Sequence, residues 1–443
     1  MRLSRFVSAA PTIAEDQPGA EPLAALACGA RVATSCLVAA VLGVIGGAPA
    51  YAQPAAPLPQ RITLEDALAR VQARAPSVQA ARARERASML ATTRVPLAPN
   101  PLVEIRGENL GPGPERLPRD IYATVTQTVE LGGKRGARST DAHAMAGEAV
   151  AERQVVEWQA AQEIVTAYVE AVRARDAHEH VRAQQQSIGD VVSLLAARVR
   201  EGANPEADLL RFEAELTRLG SQVTRLSIES QTTLLTLGSR LGVAVRADQL
   251  VRPQAMTRLL DPARLTVEAV EGRADLQLAA ARLARAESSA TVERARGVPD
   301  LLVSGGYKRT SGFNTAVASI AVPLPLFDRN GDAVARAIGE LGAARLQLQQ
   351  VRELAFADAQ ARWTAAGELM ARAARVDADL VTPAAAVRTA ARAAFTEGRA
   401  DLLQLVDAER LFGDASREAL DLQLDALLAS IRARLAIGES PLP

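Results

Sequence analysis

The feature that most limits what this chain can fold into is an internal repeat, offset by 196–198 residues. Pro76-Ser77-Val78-Gln79 returns as Ala274-Asp275-Leu276-Gln277, and Pro101-Leu102-Val103-Glu104 as Pro299-Asp300-Leu301-Leu302. Further on, Glu201-Gly202 returns as Glu397-Gly398. Each copy reads as a helix, two strands, a very long helix, a glycine turn and a return helix. Two such copies make long hairpins that carry short strand pairs, an arrangement suited to a tube and poorly suited to a catalytic globule.

The strands alternate with period two. Ile121, Ala123, Val125, Val129 and Leu131 alternate with Tyr122, Thr124, Thr126, Thr128 and Glu130. Val103 and Ile105 alternate with Glu104, Arg106 and Glu108, and Leu301, Val303 and Tyr307 with Ser304, Gly306 and Lys308. Ala318, Ile320, Val322, Leu324 and Leu326 alternate with Thr315, Val317, Ser319 and Ala321. Strands are therefore expected over 102–108, 121–131, 301–308 and 315–326, with exposed loops over 109–120 and 309–314. Lengths of about 9–11 residues fit a tilted membrane strand. On the strands alone, an ordinary half-buried antiparallel sheet is the simpler reading. Four strands do not close a barrel and open edges are not tolerated in lipid, so a membrane reading requires several chains to pool strands.

Long helices are expected over 136–200 and 332–396, with return helices over 205–241 and 401–437. At 1.5 Å per residue the first spans about 98 Å. Heptad spacing links Leu209, Phe212, Leu216, Leu219, Val223 and Leu226, and again Leu405, Ala408, Phe412, Ala415, Ala419 and Leu422. In the second long helix the same spacing links Leu369, Ala373, Val376, Leu380, Pro383 and Val387, with a kink or lost hydrogen bond expected at Pro383. Gly202 and Gly398 end the long helices; Asn204 is the expected cap of the first return helix, with Pro205 at its first position, and Asp401 caps the second. Past the tips, Asp208 and Arg211 occupy the places of Gln404 and Asp407. They read either as solvated helix-end charges or as a polar ring at the narrow end of a tube.

The 443 residues carry 51 basic and 51 acidic side chains, so no basic footprint argues for nucleic acid. Aromatics are 3% of the chain, and alanine supplies much of the 48% hydrophobic content, favouring closely packed helices. Residues 1–52 read as a signal peptide: Arg31 precedes an apolar run from Val32 to Ile45, and Ala50-Tyr51-Ala52 offers a small-x-small cleavage pattern. That run of roughly fourteen residues is short for a transmembrane anchor. Both cysteines, Cys28 and Cys36, lie in this leader, and Cys28 lacks the small-residue context of a lipid anchor. A mature chain cut near Ala52 has no cysteine, which excludes disulfides, thiolate metal sites and a cysteine nucleophile. No later run is apolar enough for a spanning helix, so an exported chain of this kind crosses a bilayer only as strands.

His178-Glu179-His180 invites a metal reading, but residues two apart on a helix point about 200° away from one another. Gly132-Gly133-Lys134-Arg135-Gly136 lacks phosphate-loop spacing and reads as a strand-to-helix hinge. No catalytic set, cofactor site or metal site is expected.

Taken together, export, the twofold repeat, two strands per copy and glycine-tipped hairpins resemble the TolC family of outer membrane channel components, over residues 61–438. The family's tip pattern is met by Phe395-Thr396-Glu397-Gly398-Arg399-Ala400-Asp401-Leu402-Leu403-Gln404-Leu405-Val406-Asp407-Ala408. The first copy departs from it, with Val199 for the aromatic and Phe212 where alanine is usual; Gln404 stands where aspartate is frequent. Gln127-Thr128-Val129-Glu130-Leu131-Gly132-Gly133-Lys134-Arg135 and Val322-Pro323-Leu324-Pro325-Leu326-Phe327-Asp328-Arg329-Asn330-Gly331 resemble the subgroup serving cobalt–zinc–cadmium efflux. The resemblance implies a mainly α protein with a small β part, repeats over 53–255 and 256–443, and a homotrimer. Its twelve strands would form one barrel in outer membrane lipid, continued by a periplasmic α-helical barrel. It further implies tip-first docking through Gly202, Asp208, Arg211, Gly398, Asp401, Gln404 and Asp407 on a periplasmic adaptor and an inner membrane pump of the RND type. Heavy-metal export is the implied task. Drug efflux or type I protein secretion through the same duct, and a soluble periplasmic coiled-coil scaffold, are the alternatives.

Overall fold

A computed structural model describes residues 60–95, 97–109, 119–202, 205–253, 265–399 and 402–439. The leader 1–52 and the expected caps Asn204 and Asp401 lie outside them, as does most of the 109–120 loop.

The first copy runs α1 (Leu64–Arg74), α2 (Pro76–Arg94), β1 (Leu102–Glu108), β2 (Asp120–Val129), α3 (Lys134–Arg200) and α4 (Glu206–Leu241). Thr63 opens α1 with a capping box: its hydroxyl accepts from Asp66 N at 3.2 Å, and the Asp66 carboxylate accepts from Thr63 N at 3.0 Å. α3 is 67 residues without a break, about 100 Å of rod. The second copy runs α5 (Val267–Val270), α6 (Ala274–Arg296), β3 (Leu301–Thr310) and β4 (Phe313–Ala321), then α7 (Gly331–Val376), α8 (Thr382–Thr396) and α9 (Leu402–Ala436).

The two copies meet in one antiparallel sheet of order β1-β2-β3-β4. Its central seam pairs Asp120 with Thr310 through to Val129 with Leu301, one strand from each repeat. Three strand limits differ from the periodic reading. β4 stops at Ala321, short of Leu326, because Pro323 and Pro325 have no N–H for the ladder. β2 stops at Val129 before Gly132 and Gly133, both at positive φ. The expected 309–314 loop shrinks to Ser311-Gly312, at φ 47° and 89°, so β3 and β4 form a tight hairpin closed by the Thr310–Phe313 pair.

The second long helix is not continuous. Between α7 and α8, Asp377–Val381 form a π-turn in which Thr382 N–H reaches back five residues to the Asp377 carbonyl. Pro383 follows immediately; it has no N–H, and its ring would clash with the carbonyl four residues earlier. The wider turn consumes one extra residue, and so corrects the heptad expected there. Val376 is buried, but beyond the turn the inward positions are Ala384 and Phe395, while Val387 of the expected stripe is exposed. The start of α4 is also one residue later than expected, with Pro205 extended ahead of Glu206.

Three clusters hold the rods together. Next to α1, Ile62, Leu64 and Leu68 pack on Ile164, Tyr168 and Val172 of α3 and on Leu427 and Ile431 of α9. The Tyr168 hydroxyl, fully buried, lies 2.7 Å from the Ile62 carbonyl oxygen and 2.6 Å from that of Val251. Near the tips, Phe212, Leu219 and Leu226 of α4 pack with Leu195 of α3, Phe395 of α8 and Leu405 of α9. In the second copy, Ala355, Ala359, Trp363 and Ala366 of α7 meet Ala433 and Ala436 of α9. Arg273 is buried beside this last cluster, donating to Asp275 at 2.8 Å, to Asp358 at 2.9 Å and to the Ala436 carbonyl at 3.4 Å. Its hydrogen-bond partners are all acceptors and its guanidinium lies 5.6 Å from the Trp158 ring centre, so the buried charge is compensated.

Candidate functional site

The register aligns the alternation of all four strands. Val103 pairs with Val125, Ile105 with Ala123, Ala123 with Tyr307 and Val303 with Ile320, so apolar residues occupy one face of the whole sheet. None of the described residues covers that face: Ile105 is 77% exposed and Ile320 71%, and Ile121, Val125, Val303 and Tyr307 are exposed as well. The opposite face carries hydroxyls and charges. Thr126 and Ser304 bond through their oxygens at 2.8 Å, Arg106 pairs with Glu108 at 3.1 Å and Lys308 with Asp120 at 3.1 Å. Tyr122 lies between the two cations, each 4.9 Å from its ring centre. β1 and β4 end the sheet, leaving two edges without a strand partner among the described residues. The sheet thus exposes the grease that an ordinary sheet hides.

Sheet and rods are joined by rigid corners. At Gly132 an added Cβ would lie 2.6 Å from Val298 Cβ, and φ is +68°, so only glycine fits. Lys134 Nζ bonds Asp300 at 2.7 Å, Leu131 N–H donates to the same carboxylate at 3.2 Å, and Arg138 grips Glu130. In the other copy Asn330 takes the left-handed position at φ 63°, its amide donating to the Glu293 carbonyl at 2.8 Å. The Gly132–Gly136 segment is therefore a corner between strand and helix.

At the far end, Gly202 and Gly398 both adopt φ +72°. Arg399 N–H bonds the Ala394 carbonyl at 2.8 Å and Gly398 N–H that of Phe395 at 3.1 Å, which satisfies the carbonyls at the end of α8. Asp208 is half-buried in the first turn of α4; Arg211, Gln404 and Asp407 are exposed. Within one chain these four are not hydrogen-bonded to each other. Ionic ties that periodicity did not reveal lie a few turns further from the tips. Glu215, 5% exposed, accepts from Arg218 at 2.7 Å and from Arg410 of α9 at 2.7 Å. Arg218, then Arg410, holds its carboxyl down at about 2 against the opposing pull of burial. Arg392 of α8 bridges Glu409 of α9, at 2.5 Å, and Ser187 of α3. Arg388 stacks 3.6 Å over Phe412. The partners are up to 205 residues apart in sequence, so only the fold brings them together.

His180 Nε2 lies 3.2 Å from the Gly413 carbonyl oxygen, a helix-to-helix contact. No group of three or more His, Cys, Asp or Glu suited to a metal ion occurs among the described residues. None of their helices is long and apolar enough to cross a membrane.

Comparison with known proteins fits this geometry. Residues 265–439 match the family described as outer membrane efflux protein. The second repeat is thus similar to outer membrane efflux proteins. The rod-and-sheet fold is shared with the outer membrane protein VceC from Vibrio cholerae, at TM-score 0.71 and 19% identity over 85% of this chain and 96% of that one. The nickel-cobalt-cadmium resistance protein NccC of Alcaligenes xylosoxydans is 26% identical over 62% of this chain and 63% of its own length. The nickel and cobalt resistance protein CnrC of Cupriavidus metallidurans is 28% identical over 57% of this chain and 61% of its own. The matches thus span about three fifths of these two relatives.

Proposed function

We propose that three copies of this chain pool their sheets into one twelve-stranded barrel in the outer membrane, and that the rods continue it as a periplasmic tunnel. One observation carries the reading: an uncovered apolar face that is continuous across four strands and ends in two open edges. A cyclic trimer pairs β1 of one copy with β4 of the next, which removes every edge and leaves the apolar face to lipid. Residues 1–52 serve as the export leader, and 53–255 and 256–443 as the two repeats.

The tunnel is the outer component of a tripartite RND-type efflux system. Its tips, with Gly202, Asp208, Arg211, Gly398, Asp401, Gln404 and Asp407, meet a periplasmic adaptor that links them to an inner membrane pump. Heavy-metal cations are the cargo; the resistance relatives and the Gln127–Arg135 and Val322–Gly331 segments favour this over drugs or polypeptides. The duct performs no chemistry; its share is a hydroxyl-lined path of paired charges.

The test is deletion of the gene followed by growth on graded zinc, cobalt, cadmium, nickel and copper. Sensitivity to at least one metal, restored by the full-length gene, is the expected result. A drug phenotype with no metal phenotype moves the cargo to organic compounds. Extraction of the protein by salt alone, as a monomer, removes the channel altogether.

A further inference from the structure

The two faces of the sheet treat positive charge differently. On the hydroxyl face, Arg106 and Lys308 each have a carboxylate from the same chain, Glu108 and Asp120. On the apolar face, Arg309 has none among the described residues. It pairs in register with Ile121 and Asn314 and shares their parity with Tyr307, Val303 and Leu301, at the β3–β4 hairpin end. Arg119 joins it: its carbonyl accepts from Ser311 N–H at 3.4 Å, which extends the β2–β3 register one step beyond Asp120 and Thr310. Alternation from Ile121 then sets Arg119 on the apolar face as well. Both arginines are exposed, and no acidic residue stands on that face of the four strands. As diagonal neighbours on adjacent strands their Cα atoms lie about 7–8 Å apart, near enough for both guanidinium groups to grip one phosphate. Below them Tyr307 donates to Asn314 at 2.5 Å, an amphipathic ring at the border of the apolar band.

A cation facing lipid is tolerated only at the headgroup level, and with no carboxylate of the described residues beside it, its counter-charge comes from the membrane. We propose that Arg119 and Arg309 form a clamp on the outer wall of the barrel for the phosphomonoester headgroup of an outer-leaflet glycolipid. This rests on the channel reading, because it needs the apolar face to look into lipid. The hairpin end is the end remote from the tunnel, so the clamp faces the outer leaflet. Guanidinium groups suit the task, since their planar fork matches phosphate oxygens two at a time.

The test uses the purified full-length trimer and measures lipid retained after detergent exchange by native mass spectrometry. The probes are bisphosphorylated lipid A, the same lipid without phosphates, and phosphatidylcholine. Wild type should retain about tenfold more of the phosphorylated lipid than of either other. Arg119→Gln with Arg309→Gln should lose that preference, whereas Arg119→Lys with Arg309→Lys should keep part of it. Arg106→Gln, on the opposite face, should leave it unchanged. Equal retention of the two forms of lipid A, or a glutamine double variant indistinguishable from wild type, overturns the clamp. Displacement by excess inorganic phosphate also overturns it, in favour of a free-anion site. Failure of the wild-type chain to form a bilayer-inserted trimer removes the channel itself, an outcome visible before any lipid is weighed.

Discussion

The two repeats share a plan but differ in build. In the first, α3 runs unbroken through Ser187, flanked by α1, α2, α4, α6 and α9. In the second, the position 196 residues later is Pro383, and the helix opens into a π-turn just before it. α7 touches α5, α6 and α9 and leaves Ile338, Leu346 and Leu354 exposed along its length. The tip cores differ too: Phe212 fills the position where the second copy has Ala408. The two copies share the order of elements while their packing differs. The first hairpin is built on an unbroken helix, and the second carries the π-turn and the exposed apolar stripe.

That contrast can be broken most sharply at the tip core. Phe212→Ala should cost about 3–5 kcal/mol, since a fully buried ring is lost, whereas Ala408→Gly in the matching place should cost about 1 kcal/mol. Denaturant melts of the detergent-solubilised protein measure both; equal losses would mean the two tips are packed alike. Next comes an exchange of the joint. Ser187→Pro should destabilise by about 3 kcal/mol or more, because it removes a helical hydrogen bond inside α3 and the partner of Arg392. Pro383→Ala should be close to neutral or slightly stabilising. If both substitutions cost the same, the π-turn is fixed by its surroundings and the proline is only a passenger.

The smallest effect is the Glu215 tie between the return helices. Its folded value of about 2 lies below the ordinary 4.5, so its stabilisation is fully present above about pH 4.5 and fades as pH falls towards 2. Glu215→Gln should therefore lower stability by about 1–2 kcal/mol at neutral pH and progressively less in acid. Melting curves of both proteins from neutral pH downward should converge. Parallel curves would show that Arg218 and Arg410 do not depend on the carboxylate's charge.

Much of this architecture was legible in residues 61–438, because its signals are local. Alternation at Ile121–Val129, heptads from Leu209 to Leu226 and the glycines at 202 and 398 each report on a few turns of chain. Strand ends were read too far where Pro323 and Pro325 carry the apolar alternation but lack the donor. The buried stripe of α8 was read one residue out of phase, since a π-turn has no periodic signature. The candidate tip residues were legible as positions and not as an arrangement: Asp208, Arg211, Gln404 and Asp407 make no bond to one another within the chain. Ties such as Glu215 to Arg410 escape any local reading, because 195 residues separate the partners.

The seam between β2 and β3 has a consequence for how the protein is made. Val129 waits for Leu301, and Asp120 for Thr310, so the amino-terminal hairpin has no third strand until most of the polypeptide has been synthesised. Closing so large a loop is slow relative to hairpin formation, and an apolar two-stranded ribbon adrift in water is prone to stick to its fellows. A chain that ends before residue 300 lacks β3 and leaves the β2 edge without this partner.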